Sequence, residues 1–243
     1  MPAIRMTLRL CGLLATFALA SLPARAGESP VVVELFTSQG CSSCPPADAY
    51  MRELATRDGV IALSFNVDYW NYLGWEDTLA SPAHTERQRA YARRLGLSGV
   101  YTPQIVVNGA TESVGSKRGK IEEQIAAART KPFPVEVSFT DKGDMLTLDV
   151  GAGKAPEQPV TLWLIRFTNE ETVEIGKGEN RGRTMVYAHA VRELMPVGMW
   201  SGEAMSLTLP KGDLLAGGID GCVALLQAGK GGPILGAAQT ATN

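Results

Sequence analysis

The two prolines directly behind a cysteine pair, in Cys41-Ser42-Ser43-Cys44-Pro45-Pro46, constrain this chain more than any other feature. Proline has no amide proton and its ring clashes with a preceding helical turn, so consecutive prolines enter a helix only in its first turn. Ahead of them, Val31-Val32-Val33-Glu34-Leu35-Phe36-Thr37 is apolar and β-branched almost without interruption, the pattern of a strand covered on both faces. Ser38-Gln39-Gly40 then supplies a turn. The sequence therefore predicts a buried strand handing over, through a turn that carries both cysteines, to a helix starting near Ser43. Its buried face would hold Tyr50, Met51 and Leu54.

Two cysteines three apart at such a junction can close a small disulfide with both sulfurs near a helix N-terminus. Unpaired amides and the helix dipole favour an anion there, so the first thiol is expected to be partly ionised near neutral pH. Cys41 is then the nucleophile, and Cys44, one turn further in, resolves a mixed disulfide by attacking Cys41. A purely structural disulfide and half of a metal site are the alternatives. Zinc would need a second pair of ligands, and the other histidines, His84 and His189, lie far off in sequence; cuprous copper needs fewer. Neither a cofactor nor a metal is implied by any other motif.

The composition bears on where this chemistry would operate. Residues 1–26 contain Arg5 and Arg9, an apolar run over 10–20, and Pro23-Ala24-Arg25-Ala26, which has the form of a signal peptidase site. Cleavage is expected after Ala26, giving a periplasmic or secreted protein. The apolar run is shorter than the ~20 residues that span a bilayer. Losing three arginines and no acids, the remaining chain would carry 20 basic against 25 acidic residues, a formal charge of −5. Such a balance argues against nucleic acid and against anionic membrane, which require basic surfaces. Cys41, Cys44 and Cys222 would remain, and one close pair with a distant singleton suggests a functional pair more than a disulfide framework.

Along the chain, residues 60–67 read as a second strand, and the aromatic stretch 68–75 has neither helical nor strand period, which predicts a loop near the site. Ser81 as cap, Pro82 and Gly96 bracket a helix. Residues 104–107 and 111–114 flank Asn108-Gly109, a hairpin signal, and Ser116 is expected to cap a further helix with Ile121 and Ile125 inward. From Pro132 the pattern changes to short alternating runs at 135–140, 145–150, 160–167, 184–191, 205–209 and 222–227, as in an antiparallel sheet or sandwich. Two units are expected, 27–131 and 132–243.

The βα junction with its cysteine pair, followed by Thr102-Pro103 and the Asn-Gly hairpin, resembles the thioredoxin superfamily from Val31 to about Arg129. The resemblance implies an α/β thioredoxin-like domain followed by a mostly antiparallel β (sandwich-like) domain. It further implies a cis bond at Thr102-Pro103, facing the disulfide, where the Thr102 backbone pairs with an extended substrate. More closely, the stretch from Glu34 through Asp48, Val67-Asp68-Tyr69-Trp70 and Thr85-Glu86-Arg87-Gln88-Arg89 are similar to DUF1223, a secreted bacterial family of unknown function. The sequence departs from thioredoxin in its Ser42-Ser43 dipeptide, in lacking a tryptophan just before Cys41, and in its extra C-terminal half.

Other residues carry two readings each. Glu34, close to where thioredoxin keeps a buried acid, suits a proton relay to Cys44 or a hydrogen-bonded structural role. Asp68 suits the same relay or a turn. Trp70, Tyr72 and Trp75 would wall a peptide-binding surface or pack on one another. His84 and His189 are expected at surface and sheet positions, Cys222 as a small buried hydrophobe, and Glu179-Asn180-Arg181-Gly182-Arg183 as a solvated turn. The expected function is thiol–disulfide exchange with another exported protein bearing a cysteine or disulfide. A binding module, either a cuprous carrier or a peptide-binding protein, is the alternative.

Overall fold

The computed structural model describes residues 29–240, so the expected export segment and its cleavage position lie outside the described residues. Strand β1 (Val31–Thr37) is buried along its whole length, as its uninterrupted apolar run requires. It leads through the cysteine turn to α1 (Pro45–Ala55), whose Tyr50, Met51 and Leu54 are buried and whose first two residues are the prolines. Next come β2 (Val60–Asn66) and α2 (Pro82–Leu95). Ser81 Oγ accepts from the Ala83 amide at 3.2 Å, and Gly96 closes α2 in the left-handed region at φ 69°. Strands β3 (Gln104–Val107) and β4 (Thr111–Val114) form a hairpin, and α3 (Arg118–Arg129) follows. Lys117, not Ser116, holds the cap position of α3, and no side chain caps that helix.

The second half contributes β5 (Val137–Lys142), β6 (Met145–Val150), β7 (Val160–Glu174), β8 (Thr184–Trp200), β9 (Met205–Pro210), the short α4 (Lys211–Leu214), β10 (Gly221–Ala228) and β11 (Ile234–Gln239). Eight strands form one mixed sheet in the order β11-β10-β7-β8-β2-β1-β3-β4, and β5-β6-β9 form a smaller one. Strand β1 runs parallel to β2 and antiparallel to β3, while β7, β8 and β10 pair antiparallel.

The sequence-based expectation of an α/β thioredoxin-like domain followed by a sandwich-like β domain is overturned. Strands hold 41% of the described residues and helices 21%, so the protein is mostly β. Residues on both sides of position 131 enter the same sheet. The physical reason lies at β2. Its outer side is covered by β8, with Ser64 opposite Ala190 and Ser64 Oγ donating to the Ala188 carbonyl at 2.7 Å. One apolar cluster then combines Phe36, Phe65 and Tyr91 with Phe167, Val223 and Ile234. Burying each such side chain contributes about 1.5–3 kcal/mol, so this shared cluster joins the two halves, alongside one cluster drawn only from the first half and another drawn only from the second.

The two faces of β1 are used differently. Val31, Val33 and Leu35 pack under α1 and α3, whereas Val32 and Phe36 pack with Tyr91 of α2. The β7–β8 hairpin is long: its pairing continues to Glu174 opposite Thr184, beyond Phe167, where β10 stops pairing. This distal part forms an arm lying against α1. Its residues Arg183 to Val186 and the helix residues Pro45, Asp48, Ala49 and Arg52 line a cavity of about 180 Å³.

Candidate functional site

Cys41 and Cys44 form a disulfide at the N-terminus of α1, with Cys44 at the cap position. Both are buried, and Ser42 and Ser43 between them are exposed. The Cys44 amide bonds the Cys41 carbonyl at 3.2 Å, and the Cys44 carbonyl accepts from Ala47 and Asp48 as the helix begins. Ser43 Oγ lies 3.4 Å from Cys41 Sγ, so its hydroxyl is placed to hydrogen-bond that sulfur. The prolines leave the first helical turn without free amides, and the Ala47 and Asp48 amides are spent on the Cys44 carbonyl, so the helix dipole and the Ser43 hydroxyl are what favour a negative charge on Cys41 once the bond opens.

Behind the disulfide is a buried polar cluster. Asp48, one helical turn after Cys44 and hence on the same helix face, accepts from Thr37 Oγ1 at 2.6 Å through Oδ1, and its Oδ2 has no partner among the described residues. Burial pushes the Asp48 pKa up to about 8, against the lowering bond from Thr37 and with help from the nearby Asp77. Asp77 is itself buried and raised by that burial, while Asn66 Nδ2 donates to it, at 3.0 Å to Oδ2, and the Gln39 and Leu79 amides donate at 2.7 and 2.9 Å. Tyr187 from β8 closes the cluster, its pKa raised by burial and by the two carboxyls.

Three further sequence-predicted residues gather here. Trp70 Nε1 donates to Thr102 Oγ1 at 2.8 Å. Gly40 packs closely beside Trp70, where an added Cβ would stand 3.1 Å from the Trp70 Cβ and would require the loop to give by a few tenths of an ångström. Pro103, joined to Thr102 by a cis peptide bond, flanks Gly115 together with Ala47 of α1; a Cβ on Gly115 would meet their Cβ atoms at 3.0 and 2.9 Å. Tyr72 stacks on Trp70 and is 77% exposed, while Trp75 turns inward to donate to Gln39 Oε1 at 2.8 Å. The aromatic loop thus packs in part on itself, Tyr72 on Trp70, and leaves the Tyr72 ring open to solvent.

Glu34 and Asp68 are not brought to the cysteines. Strand alternation puts Glu34 on the α2 face of β1, where Arg87 Nε donates to it at 2.6 Å and Tyr91 OH donates to its other oxygen. Arg87 also donates to Gln227 of β10 at 3.0 Å, so this buried pair ties the two halves together. Asp68 accepts from Thr85 Oγ1 at 2.5 Å at the start of α2. His84 is buried, not at the surface; burial lowers its pKa to about 4, and Nδ1 lies 2.9 Å from the Asn66 carbonyl. His189 in β8 is also buried, with Nδ1 2.9 Å from the Ala62 carbonyl. Cys222 is a free, buried thiol in β10, its pKa raised to about 11 by burial. Among the described residues no group of three or more His, Cys, Asp or Glu side chains could hold a metal ion.

Sequence reasoning missed Asp48, Asp77 and Asn180. Asp48 had a usable signal, because a residue four after Cys44 shares its face and that face is inward. Asp77 and Asn180 had none. Asn180, expected in a solvated turn, is fully buried at the tip of the arm, where Nδ2 donates to the Gln39 and Cys41 carbonyls at 2.9 Å each.

The family described as a protein of unknown function, DUF1223, matches over residues 32–227. The chain belongs to the DUF1223 family. No curated protein matches it. The chain is similar to a protein from Agrobacterium tumefaciens known from an X-ray crystal structure, at 40% identity over 90% of this chain and 97% of that one, with a TM-score of 0.77. HBP35 of Porphyromonas gingivalis is similar in fold, at 16% identity and a TM-score of 0.56, covering 88% of this chain and 76% of that one. Nor is any helix among the described residues long and apolar enough to cross a membrane.

Proposed function

We propose that this DUF1223 protein exchanges disulfides, through Cys41 and Cys44, with another protein outside the cytoplasm. The observation that carries the reading is the disulfide at the N-terminus of α1 with a buried carboxyl, Asp48, one turn behind it. A carboxyl that keeps its proton on the helix face it shares with Cys44 suits a donor to the Cys44 thiolate. The thioredoxin resemblance supports this reading only through the neighbourhood of the cysteines, not through the fold.

The chemistry balances as two displacements. A substrate thiolate attacks Cys41 Sγ, forming a mixed disulfide and breaking the Cys41–Cys44 bond, and Cys44 leaves as a thiolate. Asp48, protonated near neutral pH, gives that thiolate its proton and becomes the carboxylate, later reloaded from solvent through the cavity it lines beside Arg52 and Arg183. The second substrate thiolate then displaces Cys41, which leaves as a thiolate next to Ser43 Oγ and the helix N-terminus. The substrate is oxidised and the protein reduced; run backwards, the same steps reduce a substrate disulfide. Tyr72 and Trp70 offer the entering segment an aromatic platform beside Thr102.

The test is Cys44→Ser in the native exporting cell. It should accumulate mixed disulfides on Cys41 with a small set of exported proteins, visible by non-reducing electrophoresis and released by reductant. If none accumulates, and Cys41 in the reduced wild type alkylates no faster than an ordinary free cysteine at pH 7, the exchange reading is wrong.

A further inference from the structure

We propose that Asn180 is a positioning residue for Cys41: the tip of the β7–β8 arm clamps the main chain of the cysteine turn and so favours the disulfide over the dithiol. The proposal rests on the exchange reading and adds a part of the site that comes from the other half of the chain, 139 residues after Cys41.

Asn180 is 0% exposed, and its two amide protons go to two carbonyls of one turn, those of Gln39 and Cys41. This fixes the orientation of the amide, because Oδ1 turned toward two carbonyl oxygens would be repelled. Oδ1 itself is buried and has no partner among the described residues, so the side chain is held by its donor end alone. The neighbouring Glu179 reaches the same turn, with Oε2 3.4 Å from the Ser42 amide. The arm is anchored in turn: Ile175 is buried with Leu79, Met185 and Tyr187, against Trp75. Gln39 links the parts, since its amide meets Asp77, its side chain meets Trp75 and Thr78, and its carbonyl meets Asn180.

The clamp is seen with the two sulfurs bonded. Opening the disulfide frees the Cys41 peptide to rotate, and two buried hydrogen bonds of strict geometry oppose that rotation. Holding the peptide also keeps Cys41 Sγ close to Cys44 Sγ, which raises the effective concentration of one thiol at the other. Both effects act in the same direction. They stabilise the disulfide and leave the dithiol less favoured than in a turn without the clamp.

The experiment equilibrates the full protein with glutathione buffers, in which one glutathione disulfide oxidises the dithiol and yields two glutathiones. In Asn180→Ala the equilibrium constant for disulfide formation should fall about tenfold, equivalent to about 1.4 kcal/mol, as the two hydrogen bonds that favour the oxidised turn are lost. Asn180→Asp, which sets an oxygen against two carbonyls, should fall at least as far, and Arg181→Ala, an exposed neighbour, should not move it. A merely structural Asn180 would destabilise oxidised and reduced forms alike, so the melting points of both forms are measured; the clamp requires the oxidised form to lose more. The wild type gives a readout that needs no variant: the Asn180 side-chain amide protons should exchange with solvent at least tenfold more slowly in the oxidised than in the reduced protein. An equilibrium constant changed less than twofold in Asn180→Ala, or equal exchange rates in the two forms, overturns the clamp. Failure of the Cys44→Ser trap with a shifted equilibrium constant would instead overturn the exchange reading and leave the clamp standing.

Discussion

Replacing Asp48 by asparagine isolates the buried proton that the proposed chemistry depends on. In the folded protein the carboxyl titrates at about 8, against an ordinary 3.8, because burial disfavours its charged form. A raised pKa means that the stabilisation is fully present below the unfolded value and is lost as pH rises through the folded one. Each pH unit in that window corresponds to about 1.4 kcal/mol, so this group removes about 5–6 kcal/mol of stability between pH 4 and pH 8. Asparagine has no proton to lose. Its Oδ1 can keep accepting from Thr37, but its amide nitrogen replaces an oxygen that already lacks a partner, which costs about 1–3 kcal/mol. Asp48→Asn should therefore be less stable than wild type at pH 4 by about that amount and more stable at pH 8 by about 2–5 kcal/mol, the curves crossing between roughly pH 4.5 and 6. Guanidinium unfolding of both oxidised proteins from pH 4 to 8.5 measures this. The same variant should slow exchange about 100-fold, the contribution of a positioned acid. Parallel stability curves would refute the buried-proton argument, and unchanged exchange kinetics would remove Asp48 from the mechanism.

Two further outcomes follow from residues placed away from the cysteines. Glu34→Ala leaves the Arg87 guanidinium buried without its carboxylate and should destabilise the fold by about 3–5 kcal/mol in denaturant titration, while the alkylation rate of Cys41 in the reduced protein stays at the wild-type value. His84, lowered to about 4 by burial, is neutral when folded and charges in the unfolded chain below 6.5; stability should thus fall by about 3 kcal/mol as pH drops from 6.5 to 4, a loss that a His84→Gln variant would not show in acid titration.

How much was legible in the sequence differs from element to element. The limits of β1, and α2 from its Ser81 cap to Gly96, were readable because strand period, proline placement and capping are local. So were the cysteine turn and the inward face of α1. The start of α3 was misread by one residue because Ser116 offered a capping chemistry that the chain does not use. The fold class was misread for a different reason. Which strand covers the outer edge of β2 depends on β8, more than a hundred residues away, and no periodicity in β2 records its neighbour.

By itself, then, the sequence determined that Cys41 and Cys44 stand where a buried strand becomes a helix, since two prolines and an unbroken apolar run leave the backbone little choice. Tertiary structure alone decided what surrounds them. It joined Glu34 to Arg87 in a buried ion pair, desolvated the Asp48 carboxyl, set Asp77 near it, and brought Asn180 onto the Cys41 carbonyl. Strand alternation and helix periodicity are written within a few residues; the burial that sets a carboxyl's proton, and a clamp reaching across 139 positions, exist only once the sheet has closed.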